Sequence, residues 1–166
     1  MCLFKIIFVC TGNTCRSPIA EFLTKSIFMQ QDLHANISSA GTMVIEGEPM
    51  SSGAMTALTS LHLLDRELEL EMSKHRSRLI NLDMVYDSDF IFAMSCEHKT
   101  FLLNNFPYQK DRIFILGDFV SGTRYDVMDP FGKNVDIYRN CALEIYKLLI
   151  LMIEKITNVK CIWGGF

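Results

Sequence analysis

An apolar run, Leu3-Phe4-Lys5-Ile6-Ile7-Phe8-Val9, leads straight into Cys10-Thr11-Gly12-Asn13 and then into Ser17-Pro18. Rich in Ile, Phe and Val, it reads as a strand buried on both faces, the kind found inside parallel sheets. Such a strand needs a crossover back to its own sheet. Serine is a good helix N-cap and proline fits the first helical position. Ile19, Phe22, Leu23 and Ile27 then give the following helix one apolar face. This opening predicts a right-handed βαβ unit with a glycine-bearing loop at the strand's carboxyl end.

The rest of the chain continues the alternation. Short strands are predicted over residues 36–40, 90–94 and 113–116. A helix over 51–61 carries Met55, Leu58 and Leu61, and a polar one spans 97–104. A long helix over about 136–156 has Ile145, Leu148, Leu149, Met152 and Ile156 on one stripe. The expected fold is α/β: a single doubly wound parallel sheet of about four strands, helices on both faces, and a phosphate loop after the first strand. With 166 residues, 49% of them hydrophobic, one core suffices. The expected division is one domain over 1–156 and a loose, patternless tail over 157–166.

Composition excludes several classes. Net charge is -3 and no basic patch stands out, so nucleic acid is not an expected partner. The apolar runs are too short to span a bilayer, and the first lacks a signal peptide's cleavage site. No membrane association is therefore expected, and the compartment should be the cytoplasm. The six cysteines show no paired CxxC spacing. They read as reduced thiols in a reducing compartment, with no metal or other cofactor required.

The loop is where chemistry is expected, since ligands of doubly wound sheets bind at the carboxyl ends of strands. Cys10 and Arg16 bracket Thr11, Gly12, Asn13, Thr14 and Cys15, with Ser17 next. A loop of this length can wrap a tetrahedral oxyanion with successive backbone N–H groups, and the helix behind it adds partial positive charge. Arg16 can grip two oxygens with its fork of donors. The same field should favour the thiolate of Cys10, a nucleophile facing the bound phosphate. A departing oxygen or nitrogen needs a proton, so an acid should stand opposite. Asp129-Pro130-Phe131-Gly132 is a rigid, turn-rich segment suited to hold it; Asp126, three residues earlier, is the rival.

The stretch from Phe8 to Glu21, with Ser39-Ala40-Gly41-Thr42, residues 75–80, Phe92-Ala93-Met94 and residues 126–132, resembles the low-molecular-weight protein tyrosine phosphatase family in the family's order. Within it the chain most resembles the bacterial protein-arginine phosphatase branch. The resemblance implies a cysteinyl-phosphate mechanism with Cys10 as nucleophile, Arg16 as anion clamp and Asp129 as general acid, acting on phosphorylated proteins. It further implies that Asn13, Ser17, Ser39 and His75 form a hydrogen-bond network holding the loop, in which the Ser17 hydroxyl can donate to the Cys10 thiolate, and that Phe131 helps line the substrate pocket. The residue after Met94 is Ser95, where the animal enzymes carry aspartate, so no role is carried over there.

Substrate choice turns on Thr14. The family's tyrosine phosphatases commonly carry a large aliphatic residue there, and a tyrosine pair after their Asp-Pro. Threonine is associated with the arginine branch, where its hydroxyl can meet a guanidinium that a buried alkyl group would leave unpaired. Three alternatives stay open: a tyrosine phosphatase, a thioredoxin-linked arsenate reductase, and a non-catalytic phosphate-binding or redox-sensing module. The reductase needs two further cysteines close together, and Cys96 stands alone in mid-chain.

Overall fold

The computed structural model describes residues 4–163, with side chains through residue 158. Four strands, β1 (Phe4–Cys10), β2 (Ala35–Gly41), β3 (Phe90–Ala93) and β4 (Ile113–Ile115), form one parallel sheet in the order β2-β1-β3-β4. Helix α1 (Arg16–Gln30) joins β1 to β2. The chain then passes α2 (Ser52–Leu61), α3 (Arg66–Ser73) and α4 (Leu82–Asp87) to reach β3 on the other side of β1. Helix α5 (Cys96–Asn105) and a short 3-10 turn lead to β4, followed by α6 (Leu116–Ser121) and the long α7 (Val135–Trp163). The strand order reverses at β1, so the loop after Cys10 opens into the crevice that a doubly wound sheet offers a ligand.

Alternation along β1 divides the core in two. Phe4, Ile6, Phe8 and Cys10 face a cluster built with α1, α2, α3 and α7, whereas Ile7 and Val9 face Val85 of α4 and Leu102 of α5. Helices therefore cover both faces, as expected. Phe8 stacks on Phe92 at 5.8 Å between ring centroids, and Phe92 meets Phe114 at 5.9 Å and Phe119 at 5.2 Å. This aromatic ladder ties β1 to the far edge of the sheet.

The elements depart from expectation in four respects. Leu3, the expected first residue of β1, lies outside the described residues. Helix α1 is not one-faced: Ala20, Glu21, Thr24, Ser26 and Phe28 are buried along with the apolar stripe, because sheet, α3 and α7 surround it. Helices α3, α4 and α6 had no sequence-level counterpart. The first two are short segments that Asp65 and Asn81 start by accepting hydrogen bonds from the N–H groups of Leu68 and Met84. Finally, α7 does not stop at residue 156. Residues 157–163 continue it, for there is no Gly or Pro before Gly164 to end the turn. The Thr157 hydroxyl donates back to the Ile153 carbonyl at 2.8 Å.

Gly41, the last residue of β2, brings the sheet edge against the loop. Its N–H donates to the Arg78 carbonyl, and its own carbonyl accepts from Ile80. A Cβ here would overlap the Thr11 carbonyl oxygen and the Val44 side chain. Gly41→Ala is expected to cost about 1–3 kcal/mol through this overpacking. Urea denaturation checks it; an unchanged midpoint would show that the loop can yield.

Candidate active site

The loop between β1 and α1 is held from outside by its carbonyls. Thr42 N–H donates to the Cys10 carbonyl at 2.9 Å and Met43 N–H to the Thr11 carbonyl at 3.0 Å. Ser51 N–H donates to the Thr14 carbonyl at 2.9 Å, and His75 Nε2 lies 2.8 Å from the Asn13 carbonyl oxygen. Among the described residues no acceptor takes the N–H groups of residues 11–16. The loop thus offers those donors to an anion in front of it.

Asn13 is the pivot. It sits in the left-handed region at φ 55°, which asparagine tolerates better than most residues. Its amide donates to Ser17 Oγ at 3.0 Å and Ser39 Oγ at 2.9 Å, while its Oδ1 accepts from Arg78 N–H at 3.1 Å. Ser39 Oγ donates to Glu21 Oε2 at 2.6 Å, and Lys25 Nζ donates to Glu21 Oε1 at 2.8 Å. All four residues expected in the network, Asn13, Ser17, Ser39 and His75, come together. Glu21, Arg78 and Lys25 extend it. A buried glutamate one turn after Ser17 on the same helix was the available signal for the extension.

Ser17 corrects one expectation. Helix α1 begins at Arg16, with Cys15 at the N-cap and no side chain capping it. The Ser17 hydroxyl lies under Cys10 instead, 3.0 Å from its Sγ and 3.2 Å from the Ala40 carbonyl oxygen. With Asn13 donating into its oxygen, its single proton is available to the carbonyl or to the sulfur. The uncapped first turn leaves its N–H groups facing the loop's mouth, where an anion can take the role of a cap.

A cavity of about 210 Å³ stands over the loop. Cys10, Thr11, Gly12, Thr14, Cys15 and Arg16 line it from below, and Asp129 and Phe131 from the rim; Asn13 and Ser17 are fully buried beneath. Arg16 Nη2 donates to Asp129 Oδ2 at 2.6 Å and Nη1 to the Val127 carbonyl at 3.3 Å, with the arginine side chain 7% and the aspartate 48% exposed. The other Asp129 oxygen accepts from Phe131 N–H at 3.1 Å. Phe131 itself is 70% exposed. Asp126, the rival acid, is occupied elsewhere: its Oδ1 accepts from Cys96 N–H at 2.7 Å and so caps α5.

The remaining thiols contrast with Cys10. Cys15 Sγ donates to Ser51 Oγ at 3.2 Å and lies 3.5 Å from Tyr138 Oη. Burial, with Glu144 adding to it, pushes the Cys141 thiol up to about 12, and it only approaches the Met128 carbonyl at 3.6 Å. On the other side of the loop, Thr11 Oγ1 is 2.9 Å from Nε2 of His98, a residue no sequence signal singled out. Burial, then the Arg16 guanidinium, push the His98 imidazole down to about 4, against the pull of Asp129 and Asp126.

A family model described as low molecular weight phosphotyrosine protein phosphatase matches residues 5–160. A protein-arginine-phosphatase of Bacillus subtilis (strain 168) is 37% identical over 144 residues, covering 87% of this chain and 91% of that one. A low molecular weight protein-tyrosine-phosphatase, PtpB, of Staphylococcus epidermidis is 35% identical over 145 residues, covering 87% and 94%. Among solved structures, a Cys-to-Ser mutant of the YwlE arginine phosphatase with a phosphorylated active-site serine superposes with a TM-score of 0.85. It is 34% identical and covers 93% of this chain and 96% of its own.

His98 gives a pH prediction. Folded, it takes a proton only near pH 4; unfolded, near its ordinary 6.5. Between those values the unfolded chain binds more protons, so stability falls as pH drops from 6.5 towards 4. Wild type is expected to lose more stability than His98→Gln between pH 7 and 5, read by urea denaturation. Equal losses would show that the folded imidazole is not held neutral.

Proposed function

The chain belongs to the low molecular weight phosphotyrosine protein phosphatase family, and from that membership we propose that it hydrolyses phosphoarginine in proteins with Cys10 as nucleophile. The observation that carries the catalytic reading is the convergence of Cys10, Arg16 and Asp129 on one cavity floored by the loop's N–H donors. Cys10 sulfur attacks phosphorus, forming the S–P bond as the P–N bond breaks. Arg16 and the loop amides hold the equatorial oxygens, where charge spreads in the transition state. Asp129 gives its proton to the departing nitrogen. It then takes one from a water that attacks phosphorus, breaks the S–P bond and frees inorganic phosphate. Ser17 Oγ, 3.0 Å from the sulfur, supports the thiolate both when it attacks and when it leaves. The phosphorylated serine in the YwlE mutant supports a covalent phosphoenzyme at the equivalent position.

Preference for phosphoarginine rests on Thr14, which lines the cavity with its hydroxyl 3.7 Å from Cys15 Sγ. Relatives of nearly equal identity carry both the arginine and the tyrosine name, so the pocket has to decide. A guanidinium brings N–H donors that a hydroxyl can accept. A phenyl ring brings none, and Phe131 is the one aromatic at the rim. Phosphorylated proteins are the substrates in this reading. A cytoplasmic setting is supported by the free thiols of Cys10, Cys15, Cys96 and Cys141. No helix among the described residues is long and apolar enough to cross a membrane.

Two experiments test the proposal. Cys10→Ser is expected to abolish turnover while vanadate binding persists, because the amides and Arg16 still form the anion site. Turnover above a few per cent of wild type removes Cys10 from the nucleophile's role. Thr14→Ile is expected to lower kcat/KM for a phosphoarginine peptide by roughly 5- to 150-fold, the factor for one lost buried hydrogen bond at about 1–3 kcal/mol, and to raise the relative rate on a matched phosphotyrosine peptide. If wild type already favours phosphotyrosine, the tyrosine phosphatase reading replaces this one.

A further inference from the structure

His98 is placed where a purely structural histidine has no need to be. Its ring joins two hydroxyls, Ser95 Oγ at 2.8 Å from Nδ1 and Thr11 Oγ1 at 2.9 Å from Nε2, and it is 2% exposed. Thr11 follows the nucleophile directly and lines the cavity. Ser95 holds the N-cap position of α5, yet its hydroxyl makes no capping bond; it is spent on the imidazole. The cap comes from Asp126, three residues before the proposed acid, through Cys96 N–H at 2.7 Å. The first turn of α5 therefore touches the phosphate loop through the His98 side chain and the acid segment through the Cys96 N–H.

We propose that His98, oriented by Ser95, is a positioning residue: as a neutral imidazole it fixes the Thr11 side chain and so aligns the phosphate loop with the acid segment for the transition state. A neutral ring has one donor and one acceptor nitrogen, so two hydroxyl partners at these distances satisfy it completely and define one ring orientation. A charged ring would face the Arg16 guanidinium, with only Asp126 and Asp129 to offset it. Loss of the link would leave Cys10, Arg16 and Asp129 present but free the Thr11 side chain and loosen one hold on the loop beside Cys10. Displacements of about 1 Å at such a site can cost on the order of 100-fold in rate.

This inference rests on the phosphatase reading and not on the arginine preference, so the test uses a chromogenic aryl phosphate. Thr11→Val, His98→Leu and the double variant are compared with wild type in a double-mutant cycle. Each single change is expected to lower kcat/KM by roughly 5- to 150-fold, and the double change no further, because both remove one interaction. His98→Gln, which can still reach Thr11 with an amide, should recover most of the loss. In His98→Leu the inhibition constant for vanadate, which resembles the transition state, should rise with the rate loss, while that for inorganic phosphate moves little. Losses that multiply in the double variant, or a His98→Leu enzyme as active as wild type, overturn the proposal. If His98→Leu does not fold, Thr11→Val against Thr11→Ser still decides it: the serine keeps the hydroxyl that meets His98 and should recover most of the loss, and equal losses in the two count against the link. An inactive wild type would instead sink the phosphatase reading.

Discussion

A loop that turns a series of N–H groups towards one point must send its carbonyls the other way, and each of those needs a donor. That constraint organises most of this molecule. Thr42 and Met43 from the end of β2, Ser51 from the start of α2, and His75 from the segment after α3 all donate to carbonyls of one loop. A buried carbonyl left without a partner would cost about 1–3 kcal/mol, so these four contacts are conditions for the loop rather than ornaments on it. Gly41 is part of the same condition, since any side chain there would push against the Thr11 carbonyl. The segment between β2 and α2 is thus less a connection than a second wall of the site.

Beneath the loop the network runs from buried amide and hydroxyl groups outward to charged side chains at the surface. Asn13 leads to Ser39, Ser39 to Glu21, and Glu21 to Lys25, which also pairs with Glu71. A carboxylate at the end of this chain orients Ser39 as donor to itself, which leaves the serine oxygen to accept from Asn13 and directs the other Asn13 hydrogen to Ser17. The hydroxyl under Cys10 is therefore oriented by a charge three residues removed from the chemistry. Among the described residues, no buried side-chain nitrogen or oxygen lacks a partner. Such a network is stiff because every member is tied to at least one other and only the Ser17 proton has a choice of acceptor.

How much of this the sequence discloses depends on whether a residue's role is local. β1 is legible because burial on both faces removes every polar residue but Lys5, and the loop because its chemistry needs a cysteine and an arginine at fixed spacing. The acid segment is legible through Asp129-Pro130 for the same reason. Ser17 misleads only as a helix cap: α1 begins one residue earlier, at Arg16, while the serine hydroxyl meets Cys10, a partner the sequence also allows it. Helices α3 and α4 are too short for a 3.6-residue stripe to emerge, and each has a single fully buried face residue or two. His98 and Arg78 are invisible for a different reason: their partners lie 87 and 65 residues away in the chain. No pattern of spacing encodes a contact that only the folded sheet creates.

The chemistry and the choice of substrate are separable in this architecture. Every group that handles phosphorus hangs from the carboxyl end of β1 or the first turn of α1, and all are pinned by bonds that would be the same for any phosphorylated side chain. The outer part of the cavity is lined by a different set: Thr14, Phe131 and Asp129. Of these, Phe131 is largely exposed and Asp129 half so, whereas Thr14 is fixed by the Ser51 N–H on its carbonyl. A change at Thr14 alters the surface met by the leaving group while its backbone contribution to the phosphate cradle stays anchored. A substitution at this position can therefore be made without disturbing the network below. In the proposed reading the rigid part fixes the reaction, and the side chain at Thr14 beside it selects what leaves.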